Sequence, residues 1–172
     1  MGLGKALGFS LLAYIGLNFL FVIISETISG NLNLLFSNIT SNPLIILLIF
    51  FGPITSVPSS EIFTLYTKIA FGTFDASLIQ TIGFIVTPFV ASIVAGRTGG
   101  SKGSSFLGWM IACLISASAL VVLVFISPIT LLYYGIIVSN PIILLIVFSL
   151  SALITAIFYG TFSLLFTKTE MY

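Results

Sequence analysis

The stretch "PLIILLIFFGPITSV", residues 43–57, is largely apolar, but it is too short and too interrupted to cross a membrane as one helix. A helical span needs about 20 apolar residues to cross roughly 30 Å of hydrocarbon. Gly52-Pro53 breaks this run, because proline lacks a backbone donor and clashes with the preceding turn. After Pro58, Glu61 opens a second, amphipathic segment. We therefore predict a short or re-entrant helical hairpin over residues 43–74.

Long uncharged segments make up most of the rest of the chain. Of its 172 residues, 59% are hydrophobic and 5% are charged. Because a charge at the bilayer centre costs at least about 2.5 kcal/mol, charged residues mark the loops between spans. Spans are predicted at about residues 6–25, 77–96, 105–127 and 141–167. The predicted fold class is an all-α integral membrane protein with four transmembrane helices plus the hairpin, with five or six spans as alternatives.

The basic residues predict the orientation of the spans. If the hairpin enters and leaves on one side, Lys5, Arg97, Lys102 and Lys168 lie on one side of the membrane and Lys68 lies on the other. Cytoplasmic loops carry an excess of lysine and arginine. We therefore expect both termini to be cytoplasmic and the protein to reside in the cell (plasma) membrane.

A short sequence occurs twice and suggests an internal repeat. "SNPLIILLIFF" at residues 41–51 returns as "SNPIILLIVFS" at residues 139–149. The Gly/Ser-rich segment 96–105 resembles a flexible link between two halves. We treat residues 1–172 as a single polytopic membrane domain whose possible halves are residues 1–95 and 105–172.

Two readings fit the repeated Ser-Asn-Pro. In the first, Asn42 and Asn140 cap helices, and Pro43 and Pro141 occupy the first helical positions, where their missing donor is harmless. In the second, both asparagines begin broken helices that bind a small solute at membrane depth. The paired Asn-Pro resembles the aquaporin signature, but neither proline is followed by that family's alanine or arginine, so water-channel activity is not predicted.

Small residues recur at helical spacing and predict close helix packing. A spacing of four places them on one helix face, where two backbones can approach closely. The predicted helix-packing residues are Ala91, Ala95, Ala112, Ser116, Ala152, Ala156 and Gly160. The pattern leaves open whether these faces pair within the chain or with another subunit.

Three other polar residues carry predictions. Asn18 and Gln80 lie within apolar spans, where we expect them to form hydrogen bonds between helices. Asn38-Ile39-Thr40 is a sequon for N-glycosylation on the side predicted to be external, so Asn38 is a candidate modification site.

The composition argues against catalysis and cofactor binding. Histidine is absent, cysteine occurs once, and no carboxylates cluster within a span, so no catalytic residue, metal ligand or cofactor is predicted and we expect no enzymatic activity. The near-neutral charge argues against a nucleic-acid partner.

We therefore expect a non-catalytic subunit or scaffold of a larger membrane complex, such as a respiratory or other energy-transducing one. Its partners would be the lipid bilayer and other membrane subunits rather than a small-molecule substrate. One alternative is a small-solute channel or carrier with Asn-Pro-initiated half-helices. Another is a viral or envelope structural membrane protein.

Overall fold

The computed structural model describes residues 2–134, 136 and 140–167, and the secondary structure in this part of the chain is helical. The α-helices are α1 (Gly2–Ile28), α2 (Leu32–Ser41), α3 (Ile45–Phe51), α4 (Pro58–Ala70), α5 (Ala76–Thr98), α6 (Lys102–Ile126) and α7 (Pro141–Leu165), with 3₁₀ turns at Gly52–Thr55 and Pro128–Tyr134. Four of them, α1, α5, α6 and α7, are long and apolar enough to span a membrane. These four overlap the four predicted spans.

The four long helices form one bundle with two ends. Helix α1 runs antiparallel to α5, because Gly2 lies against Gly99 and Phe21 lies against Gly83. It runs parallel to α6, with Ala6 against Gly108. We call the end with the first turns of α1 and α6 the first end, and the opposite end the second end.

Helix α7 completes the bundle by packing against α5 and α6. The Trp109 Nε1 group of α6 donates a hydrogen bond to the Ala156 carbonyl of α7 at 3.0 Å. Near the first end, Gly96 of α5 lies against the Ser163 carbonyl. Helix α7 is therefore antiparallel to α6, and one hydrophobic core draws residues from all four long helices.

Helices α3 and α4 form a hairpin whose two outer ends lie at the second end. Asn42, just before α3, donates from Nδ2 to Thr130 Oγ1 at 3.0 Å, and Thr130 follows the last turn of α6. Lys68, near the end of α4, donates to Ser77 Oγ at the start of α5. The axes of the two limbs differ by 93°. The chain thus enters the bundle from the second end and returns to it.

A small polar cluster fixes the returning limb. Asp75 caps α5 by accepting the Leu78 N–H at 3.0 Å, and its Oδ1 lies 3.8 Å from Lys68 Nζ. The Ser77 hydroxyl, followed by the Leu78 N–H and the Lys68 charge, lowers the pKa of Asp75 below its ordinary value. The carboxylate therefore holds the end of α4 against the beginning of α5.

Two segments differ from the sequence-based predictions. Residues 32–41 form α2, for which no helix was predicted, and its Leu35 packs against Val22 and Ile49. The predicted Gly/Ser-rich link 96–105 is reduced to residues 99–101, because Ser101 caps α6 through the Ser104 N–H at 3.2 Å. The link is therefore a tight turn.

The two Ser-Asn-Pro segments precede helices of very different length. Helix α3 has 7 residues and ends at Gly52-Pro53, whereas α7 has 25. The internal repeat therefore remains a hypothesis based on the sequence.

Replacing Gly108 by alanine should destabilise the bundle by about 1–3 kcal/mol, because the new methyl group would lie 2.6 Å from Ala6 Cβ. Gly16→Ala is the matched control, since no atom lies within 4 Å of the methyl position and alanine favours the helix by up to about 1 kcal/mol. Thermal unfolding in detergent, followed by circular dichroism, measures both. Equal stability of the two variants would contradict the described contact between α1 and α6.

Candidate functional site

The break between α3 and α4 lies inside the bundle, at the middle of the long helices. Gly52, Pro53 and Ile54 are buried. Pro53 offers no N–H to the Ile49 carbonyl, and the extended Ser56 and Val57 end the helical hydrogen bonding before α4 begins. The hairpin therefore carries backbone acceptors that its own helices cannot satisfy into an apolar interior.

Side chains from opposite sides of the bundle supply donors to this break. Asn18 of α1 donates from Nδ2 to the Phe50 carbonyl at 2.6 Å. Thr155 of α7 donates from Oγ1 to the Ser56 carbonyl at 2.9 Å. Both donors are almost completely buried and lie near the middle of their helices. The prediction that Asn18 forms a hydrogen bond between helices is confirmed, and its acceptor is the broken backbone.

Further polar atoms in the interior have no hydrogen-bond partner. Within the described part of the chain these are Tyr14 Oη, Asn18 Oδ1 and Thr87 Oγ1. The Tyr14 hydroxyl lies beside Asn18 and the Ile54 backbone, outside hydrogen-bond geometry. Buried polar groups are normally paired, so the unpaired atoms of Tyr14 and Asn18 beside the break are a feature to explain.

One carboxylate lies near the break. Glu61, in the first turn of α4, is half-buried beside the Ser56 hydroxyl and near the hydroxyl of the buried Tyr159. The Tyr159 ring packs edge-on against Trp109. The sequence showed only that Glu61 opens a helix; its position against α7 depends on how the hairpin folds back.

Two small cavities flank the break. One, of about 10 Å³, is lined by Asn18, Phe21, Val22, Ile49, Pro53, Gln80, Gly83 and Phe84. The other, of about 40 Å³, is lined by Leu48, Gly52, Thr55, Phe84, Leu120, Ile136 and Phe148. Phe84 lines both cavities, so this side chain lies between them.

The two Asn-Pro sites have separate surroundings. Asn140 Oδ1 caps α7 by accepting the Ile142 and Ile143 N–H groups at 3.0 and 3.4 Å, with Pro141 at the first helical position. Asn42 Oδ1 accepts the Leu44 N–H at 3.3 Å, but α3 begins at Ile45, two residues later than Pro43 would have allowed.

No hydrogen bond joins Asn42 to Asn140 among the residues that the structure describes; the Asn42 amide is bonded to Thr130 instead. The two asparagines therefore do not form one joint hydrogen-bonded site in this conformation.

The predicted small-residue faces lie inside the chain. All seven residues, Ala91, Ala95, Ala112, Ser116, Ala152, Ala156 and Gly160, are buried between the long helices. The chain uses these residues for its own packing, and Ala152 and Ala156 also line the groove described next. Asn38 is half-buried in α2 at the second end, rather than in a loop.

A groove of about 470 Å³ opens on the outside of the bundle between α6 and α7. Its lining consists of Met110, Cys113, Leu114, Ala117, Ser118, Val121, Val122, Ser149, Leu150, Ala152, Leu153 and Ala156. None of these residues is charged. The groove is therefore an apolar surface that alternates small and large side chains.

The comparisons with known proteins give no match: no family model, no curated protein and no solved structure resembles this chain. In the described part of the chain, no three histidine, cysteine, aspartate or glutamate side chains lie close enough together to hold a metal ion. The polar break and the outer groove are therefore the features from which function is inferred.

Replacing Thr155 by valine should lower the stability by about 1–2 kcal/mol, because the Ser56 carbonyl loses its donor in a partly buried position. Thr161→Val, on the same helix, is the control: its exposed hydroxyl donates only to the Phe158 carbonyl of its own helix. Chemical unfolding of both variants in micelles measures the difference. Indistinguishable variants would show that Thr155 does not support the break.

Proposed function

We propose that the chain is an integral membrane protein whose four long helices cross the bilayer while the hairpin re-enters from one side. Supporting this topology, three of the basic residues in the described part of the chain, Lys5, Arg97 and Lys102, lie at the first end, and Lys68 lies at the second. Because cytoplasmic loops carry an excess of lysine and arginine, we propose that the first end faces the cytoplasm.

Within that setting, we propose that the protein is a non-catalytic subunit or scaffold of a larger membrane complex. The observation that carries the proposal is the groove between α6 and α7. Small residues such as Ala117 and Ser118 make the groove deeper. A neighbouring helix can approach closely where such residues line a surface. The occupant we propose is a transmembrane helix of a partner protein.

The surface of α4 adds a second apolar face for contact with lipid or a partner. Ile62, Phe63, Tyr66 and Ile69 expose about half to two-thirds of their area. A monomer in water would not leave such a surface uncovered. This face belongs to α4, whereas the groove lies between α6 and α7, so the two surfaces can be tested separately.

Filling the groove should release the partner. Ser118→Trp places a large ring in the groove from an exposed position and should reduce co-purification of a defined partner at least about tenfold, equivalent to about 1.4 kcal/mol. Ile115→Trp is the control, because Ile115 is exposed on the same helix and does not line the groove. Gentle extraction from the native membrane and native mass spectrometry measure the stoichiometry.

Three other outcomes would each contradict the subunit proposal. A lone monomer from the unmodified protein would remove the partner altogether. A homo-oligomer disrupted by Ser118→Trp would make a second copy the occupant of the groove. Bound lipid alone, displaced by the same change, would assign the groove to an acyl chain.

A small-solute channel or carrier is the second candidate, and the polar break favours it. Broken helices whose backbone faces a cavity near the bilayer centre are a recurring device of transporters. Here two cavities flank such a break and are separated by Phe84. In this candidate the described conformation is closed, and movement of Phe84 would join the cavities.

Phe84→Ala should therefore increase the flux of a small polar solute if the second candidate is correct. Phe89→Ala is the control, because Phe89 packs against Phe162 at a ring distance of 4.9 Å and lines neither cavity. Proteoliposomes shocked with glycerol or urea report flux by light scattering. Rates equal to those of empty liposomes for both variants would reject this candidate.

A further inference from the structure

The cavity of about 10 Å³ beside the hairpin break has the properties of a binding site for a single small molecule. We propose that one water molecule occupies it and donates a hydrogen bond to Asn18 Oδ1. This inference requires neither a partner protein nor solute transport, so it goes beyond both candidate functions.

The size of the cavity limits its occupant. A site needs about 10–15 Å³ of this kind of volume to hold one water molecule. The cavity matches the lower part of that range, and it is lined by residues of α1, α3 and α5 and by Pro53. A volume of this size suits one water molecule rather than a larger solute.

The polar atoms in the wall favour a hydrogen-bond donor. Asn18 lines the cavity, and its Nδ2 is already committed to the Phe50 carbonyl. Its Oδ1 is buried and accepts no hydrogen bond in the described part of the chain. An unsatisfied buried acceptor costs about 1–3 kcal/mol, which a water molecule in the cavity would recover.

Two further groups could complete the coordination of that water. The Ile49 carbonyl lacks its helical donor because Pro53 has no N–H, and both residues line the cavity. Gln80, on the opposite wall, carries an amide that can donate or accept. A buried water molecule usually forms about three hydrogen bonds, and these groups can provide that number.

The same wall argues against a cation. No charged residue lines the cavity, so a dehydrated ion would lack a counter-charge in an apolar interior. An apolar occupant would leave Asn18 Oδ1 unsatisfied. Water is neutral, fits the volume and supplies the missing donor.

The proposed water would link three helices at the break. Asn18 belongs to α1, Ile49 to α3 and Gln80 to α5. Together with the direct Asn18 bond to Phe50, it would bind α3 to both neighbouring helices.

The direct test is nuclear magnetic resonance of the unmodified full-length protein in nanodiscs with ¹⁵N-labelled asparagine. We expect magnetisation transfer from water to the Asn18 side-chain amide protons, assigned by their loss in Asn18→Leu. Because the Asn18 amide is buried, the transfer should come from a long-lived bound water and not from rapid exchange of the amide protons with bulk solvent. Absence of the transfer from an assigned Asn18 signal would overturn the proposal.

A substitution that fills the cavity gives an independent test, because the unfolding temperature should fall if the cavity holds water and rise if it is dry. Val22 lines the cavity and is 4% exposed, so Val22→Ile adds one methyl group to it. If water occupies the site, the transfer signal should disappear and the unfolding temperature should fall by about 2–6 °C. A higher unfolding temperature with no signal in either protein would show that the cavity is dry.

A comparison of salts tests whether a cation occupies the cavity instead of water. The unfolding temperature of the unmodified protein should be the same in sodium, potassium and choline chloride at equal ionic strength. A specific increase in one of the metal salts that is lost in Asn18→Leu would assign the site to a cation and overturn the proposal.

Discussion

The backbone of the α3–α4 break needs hydrogen-bond donors that its own helices do not supply, and side chains of α1 and α7 supply them. In an apolar interior each unpaired backbone group costs several kcal/mol. Asn18 and Thr155 meet the requirement from two helices on different sides of the hairpin. The positions of α1 and α7 are therefore tied to the same short segment, and through it to each other.

Hydropathy was sufficient to predict the long helices, and Gly52-Pro53 was sufficient to predict the break in the hairpin. Both could be predicted because span length and helix breaking are local properties of the sequence. The partners of the break could not be predicted in the same way. Thr155 is 99 residues away from Ser56, and nothing local distinguishes its hydroxyl from the many others in the apolar spans. Asn18 was identifiable as a buried polar residue, but its acceptor, the Phe50 carbonyl, was not.

The missed elements have equally physical causes. Helix α2 contains asparagines and serines that favour turns, and it is held by Leu35 packing against the hairpin and α1 rather than by its own propensity. The Gly/Ser-rich segment 96–105 looked like a flexible link by composition, yet glycines there permit contact: Gly96 and Gly99 lie against other backbone segments. Composition alone does not separate a flexible glycine from a closely packed one.

The distance along the chain between Ser56 and Thr155 has a consequence for biosynthesis. When the ribosome has completed the hairpin, α7 does not yet exist, and the Ser56 carbonyl has no Thr155 hydroxyl from which to accept a hydrogen bond. That hydrogen bond can therefore form only after the 99 residues from Ser56 to Thr155 have been added to the chain. The break thus lies in the first half of the chain but acquires its full set of donors only when the last helix has been made.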